Sequence, residues 1–459
     1  MRNRYLYVTL LSILAFNARA YTPEGAQAPR LVISICVDML RSDLLENYSD
    51  KYTEKGLKLL LQQGYVFTNA SNNYAPVDRA SATTTITTGT VPYYHGITGE
   101  KWLNRETLRP QSIIFDKDYK ASPSHLAVST LGDELKIATD GKARIFAFAP
   151  SAECAILSAG HAADGAAWIQ QGRWTTTNYY TPTNQWLNNF CKSQLPGTDT
   201  NMSVAKAAVT CIDKTTTGLD DIPDFISISL TTSNSLDSYL SLDRTIEYII
   251  KGVSQKVPAD RVLFVLTGSG NGEEERKRQA DYERFRVPTG KFYINRTAGL
   301  LNIYLGAIYG TAQYVETCFG NQLFINRKLI DRKNINMGDL LSRSQEFILQ
   351  LAGVRNVYTS LQLATSDSQL LQRVRNGFNA EHCGELIIDV APGWELVNED
   401  TQSSTISVSG HISFPIIFWG ANIKPQRVEA PVTSNSIAPT VAKAIRIRAP
   451  NACVAEPLF

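Results

Sequence analysis

Asp38 closes a continuous apolar run, Leu31-Val-Ile-Ser-Ile-Cys-Val37. Such a run reads as a buried parallel strand, and ligands of open α/β sheets gather outside the carboxyl ends of strands. A carboxylate in that place can meet a cation. The other local signals are weaker. Gly268-Ser-Gly-Asn-Gly272 lacks the Lys-Ser/Thr ending of a phosphate loop and reads as a turn. There is no Gly-x-Ser-x-Gly elbow, which removes the α/β-hydrolase mechanism. His95 and His161 read as hydrogen-bonded structural residues, and His125 and His382 carry no chemical signal. The seven cysteines contain no C-x-x-C pair, so a metal finger is excluded; Cys191 with Cys211 is a reasonable local disulfide.

The elements that must position these residues alternate. Helices are expected over Lys55–Gln63, Arg79–Thr88, Leu131–Ala138, Tyr239–Val253 and Ser436–Ile445. Strands are expected over Tyr65–Thr68, Arg144–Phe148, Phe225–Leu230, Val262–Leu266, Glu385–Val390 and Phe414–Trp419. The Thr-rich interior of Arg79–Thr88 is a poor intrinsic helix former, so only tertiary packing makes it helical. This rhythm predicts an α/β fold, a doubly wound, mostly parallel sheet with helices on both faces. Residues 168–201 read as an irregular insertion, and the charge run Glu273–Arg286 as a solvated helix.

The chain has 459 residues, 43% hydrophobic and 19% charged, with a formal net charge of +2. That balance suits a globular protein and implies no pull toward nucleic acid. Arg2 and Arg4, the apolar stretch Tyr5–Phe16 and Ala18-Arg-Ala20 have the layout of an export signal cleaved after Ala20. A periplasmic or otherwise exported mature chain without a transmembrane segment follows. The expected organisation is a signal peptide over 1–20, a linker over 21–28 and one domain over 29–459, with cap-type insertions near 168–201 and 273–320.

Several segments recur in a characteristic order: Leu31–Asp38, Thr87-Thr-Gly-Thr-Val-Pro92, His95-Gly-Ile-Thr-Gly99, Ala159-Gly-His-Ala-Ala-Asp-Gly-Ala166, Asn321–Asn326, Pro415–Phe418 and Ile437–Thr440. In this order the chain resembles the periplasmic alkaline phosphatases of the nucleotide pyrophosphatase and phosphodiesterase branch. The likeness runs from about Pro29 to Phe459. The resemblance implies two zinc ions held by Asp and His, with a Thr or Ser nucleophile between them, an arrangement suited to phosphoryl transfer.

Carried over position by position, that machinery is largely replaced. Asp38 matches a family carboxylate ligand. Tyr74-Ala-Pro76-Val-Asp78-Arg79-Ala80 puts Arg79 where the nucleophile belongs. Asn234, Ser238, Ser269, Gly270 and Ser413 stand at the other ligand positions. Glu100, Ser151 and Glu153 stand where the family grips phosphate. A guanidinium near two divalent ions is strongly repelled. The expectation is therefore a pseudo-enzyme with no catalytic residues and no cofactor, serving as a scaffold or binding protein for an envelope protein or a glycan. In it an Asp38–Arg79 ion pair, joined by Glu153, takes the place of the metals. The alternative is a metal-dependent hydrolase of phosphoric or sulfuric esters with a reorganised site. A metal-free anion receptor built on Arg79 is a further reading.

Overall fold

The computed structural model describes residues 27–180, 185–272, 283–406 and 412–459. The export-signal segment, most of the charge run and His411 lie outside the described residues.

One sheet of ten strands organises the molecule. In chain order its strands are β1 (Leu31–Asp38), β2 (Tyr65–Ser71), β3 (Ile145–Ala149), β4 (Gly165–Gln170), β5 (Arg173–Thr176), β6 (Asp224–Thr231), β7 (Val262–Gly268), β8 (Phe414–Gly420), β9 (Gln426–Val428) and β10 (Val432–Thr433). Their spatial order is β9-β2-β8-β7-β1-β6-β3-β4-β5, with β10 beside β2. β1 is parallel to both neighbours, pairing Asp38 with Thr231 of β6 and Val37 with Gly268 of β7. β8 runs antiparallel to β7 and β2.

The helices that matter here are α1 (Leu57–Gln63), α2 (Arg79–Thr88), α3 (Leu131–Ala138), α4 (Ala152–Ala159), α5 (Thr200–Thr215), α6 (Leu236–Ser254) and α7 (Ile437–Ala444). Successive β1 residues point to opposite faces. Val32 and Cys36 join a core with α2, α3, α4 and α7. Leu31, Ile33, Ile35 and Val37 join a second core with α1, α5 and α6. Covering on both faces explains why β1 lacks polar alternation.

Three expectations change. The irregular insertion over 168–201 is largely regular: β4 and β5 form a hairpin at the sheet edge, followed by a helix over Gln185–Ser193. All seven cysteines are free thiols, Cys191 and Cys211 included. Between β7 and β8 two small sheets, of three and four strands, extend from Lys291 to Ile406 around their own core of Leu301, Ile325, Val357 and Ile388.

Candidate functional site

The carboxyl ends of β1, β6 and β7 meet the N-terminus of α2, and the residues singled out from the sequence assemble there. α2 forms because its surroundings compensate for its composition. Its residues from Ala80 to Thr88 are buried, and the hydroxyls of Thr84, Thr87 and Thr88 donate back to carbonyls in the preceding turn. Asp78 caps it, accepting the Ser81 N–H at 2.8 Å while the Ser81 hydroxyl accepts the Asp78 N–H at 3.1 Å. Asp78 also accepts the Glu100 N–H at 2.7 Å, which fixes Glu100 beside the first residue of the helix, Arg79.

Arg79 points into the site. Its Nη2 lies 2.6 Å and its Nε 2.9 Å from the same Glu100 oxygen, and its Nε is 3.9 Å from Asp38 Oδ2. The close partner is thus Glu100. Glu153, expected in that role, instead accepts a hydrogen bond from Ser112 at 3.3 Å. Burial opposes the Arg79 charge, yet the Glu100 carboxylate outweighs it and raises its pKa.

Asp38 accepts from the Ser269 hydroxyl at 2.7 Å and from the Asn271 amide at 3.2 Å. Burial pushes its carboxyl upward, and the hydrogen bonds from Ser269 and Asn271 and the Arg79 charge only partly counter this. Asn271 is the residue that sequence reasoning passed over. It follows the two replaced positions Ser269 and Gly270, and its amide is a natural neutral donor to a buried carboxylate.

The remaining replaced positions serve local structure. Ser238 lies in the first turn of α6, where its hydroxyl accepts the Ser233 N–H at 3.0 Å and pairs with Thr232. Asn234, in the turn before that helix, is partly buried. Gly270 has φ +72, and a Cβ there would lie 2.4 Å from the Asn72 amide. The Ser413 hydroxyl donates to Asn69 at 3.1 Å. Ser151 caps α4 by accepting the Cys154 N–H.

Beside Arg79 is a small, partly open cavity of about 10 Å³, lined by Cys36, Asp38, Thr83, Ser151, Ser229 and Ser269 among others. That is room for about one water molecule. The Ser229 hydroxyl is buried there without a protein partner. A larger hollow, about 530 Å³, lies elsewhere beside His161 and is not formed by these residues. The small cavity is the chemically relevant one, because the convergent charges are there.

These residues do not fit a pair of zinc ions. Structural and catalytic zinc sites take three or four donors from His, Cys and carboxylates. Of the ligand positions that the sequence resemblance implies, only Asp38 carries such a group. Among the described residues no three His, Cys, Asp or Glu side chains are grouped to hold a metal.

A family model described as type I phosphodiesterase / nucleotide pyrophosphatase matches residues 32–412. A protein of Myroides odoratus named calcium-transporting ATPase is 25% identical, with 96% of each chain covered. Alkaline phosphatase PafA of Elizabethkingia meningoseptica is also 25% identical, with 98% of each chain covered. A crystal structure of wild-type alkaline phosphatase PafA superimposes with a TM-score of 0.81 at 24% identity, covering 95% of this chain and 99% of that one. These findings overturn two expectations. The chain is not set apart as a non-enzyme, because nearly its whole length aligns with proteins named as alkaline phosphatases. The expectation of no cofactor does not stand either, since nearly the whole chain aligns with proteins named as alkaline phosphatases, the group for which the resemblance implies bound zinc. The physical reason is that counting lost ligands tests one coordination pattern only, and says nothing of other arrangements. With the family model matching most of its length, this chain belongs to the type I phosphodiesterase / nucleotide pyrophosphatase family of the alkaline phosphatase superfamily.

Proposed function

We propose that this chain is an exported hydrolase of singly charged esters, phosphodiesters or sulfate monoesters, working from a site reorganised around Arg79. One observation carries the choice of substrate. Arg79 is held by Glu100 and faces Asp38, so the three charges sum to −1 when both carboxylates are ionised. A second negative charge on the substrate then meets repulsion of roughly 1–4 kcal/mol at about 4 Å. The lower end applies because the Arg79 and Glu100 side chains are 36% and 32% exposed and partly screened. Dianionic phosphate monoesters are therefore disfavoured.

In this reading Arg79 binds and orients a non-bridging ester oxygen when Glu100 yields, and the small cavity beside it has room for about one water. No step is assigned to a metal. Export rests on the signal-like residues 1–20. Among the described residues, no helix is long and apolar enough to cross a membrane. A glycan partner is a second role, supported by the exposed rings of Tyr94, Phe115 and Tyr119, which offer apolar faces to sugars.

The test is an assay of the purified chain, with and without added divalent metals, on bis-p-nitrophenyl phosphate, p-nitrophenyl sulfate and p-nitrophenyl phosphate. Turnover should be higher on the first two, and Arg79→Ala should lower it at least tenfold. Absence of turnover on all three under every metal condition sinks the proposal.

A further inference from the structure

His161 follows α4 and faces two elements at once. Its Nδ1 is 2.9 Å from Asp133 Oδ2 on α3, and its Nε2 is 3.0 Å from the carbonyl oxygen of Leu126. A carbonyl oxygen and a carboxylate only accept hydrogen bonds. A neutral imidazole carries one N–H, so in either tautomer one nitrogen would set its lone pair against an oxygen. With Asp133 ionised, the doubly protonated ring is what satisfies both contacts. A proton on Asp133 could satisfy them too, but that carboxylate already accepts three backbone N–H groups, from Thr130, His161 and Ala162, each at 2.8 Å. Such bonds favour the ionised form.

We propose that His161 is a proton-operated latch, held as an imidazolium that ties α3 to the 122–128 segment. The groups around it leave Asp133 as the one charge in contact. From α3, Lys136 is paired with Asp164 of the turn before β4, Asp140 lies at the rim of the neighbouring hollow, and Glu134 is bound by Arg448. Tyr179 and Tyr180, after β5, lie near Asp133. His125, within the 122–128 segment, packs against Trp102.

The hydrogen bond to Asp133 raises the imidazole above its ordinary 6.5, although burial lowers it. The stabilisation is complete below that ordinary value and is lost as pH rises through the raised one. The 530 Å³ hollow gives protons a route to the ring. Losing the proton costs the ring one of its two bonds, to Asp133 or to Leu126, and so the tie between α3 and that segment. The segment is otherwise held by the Ala127 N–H to the His95 carbonyl at 3.2 Å, by Ser129 to Asn451 and by burial of Leu126 and Val128.

The deciding measurement is the side-chain ¹⁵N spectrum of the full chain in a His411→Asn background. Burial lowers the pKa of His95, His125 and His382, so these rings are neutral at pH 7. One ring should then carry protons on both nitrogens at pH 7 and titrate above 6.5. In parallel, the Tm of the parent should fall between pH 6.5 and 9 by several degrees more than that of His161→Gln, whose side chain does not titrate. A spectrum with only singly protonated rings at pH 7 would overturn the latch, as would equal pH slopes in the two proteins. If the variant fails to fold, the spectrum of the parent still decides.

Discussion

Gly270 combines a left-handed backbone with a wall of side chains. At φ +72 an L residue is strained, and a Cβ would meet the Asn72 amide at 2.4 Å and the Phe414 ring at 2.7 Å. Gly270→Ala should cost about 2–4 kcal/mol in urea unfolding, more than backbone strain alone. Asp224 offers a pH test. Burial pushes its carboxyl up to about 6 from an ordinary 3.8, despite bonds from the Arg144 and Gly218 N–H groups. The unfolded chain releases this proton first, so stability should decline by roughly 3 kcal/mol as pH rises from about 3.8 to about 6, then level off. Asp224→Asn should flatten that window in unfolding curves. At this scale the sequence located Asp38 and Arg79 but not the partner. Glu100 and Glu153 are both acidic and near in sequence to site elements. Only the bond from the Glu100 N–H to Asp78 decides which one reaches the guanidinium.

The elements were legible where burial imposes a pattern. Mostly apolar runs gave β1, β6, β7 and β8 to within two residues at each end, and the helix expected over Arg79–Thr88 is α2, closed by Gly89 at φ +68. Where a strand lies at the sheet edge the signal was too short. Arg173-Trp-Thr-Thr176 alternates over only four residues and was read with its polar neighbours as irregular. The cap of α2 carries a prediction. Asp78 satisfies N–H groups from both the helix and the Glu100 segment, so Asp78→Ala removes two anchors at once. A loss of about 1–3 kcal/mol is expected from chemical denaturation. Asp78→Asn, which keeps one acceptor, should lose less.

Across the whole molecule the C-terminus acts as a clasp. Arg448 binds the buried Glu134 at 2.8 Å, Asn451 exchanges bonds with Ser129, and Phe459 stacks on Tyr65 and meets Phe418 edge-on. Removing Pro457–Phe459 uncovers both rings and frees the Thr440 hydroxyl that accepts the Leu458 N–H. A loss of about 1–3 kcal/mol should appear in urea titrations. The position of β8 has a consequence for how the chain is made. This strand fills the gap between β7 and β2 with antiparallel pairing, yet it follows both by a long stretch of chain. Until Phe414 leaves the ribosome, β2 and the open side of β7 have no mates, and the central layer stays split in two. A nascent chain of this kind carries unpaired strand edges until its last segment is made, at the risk that they find one another first.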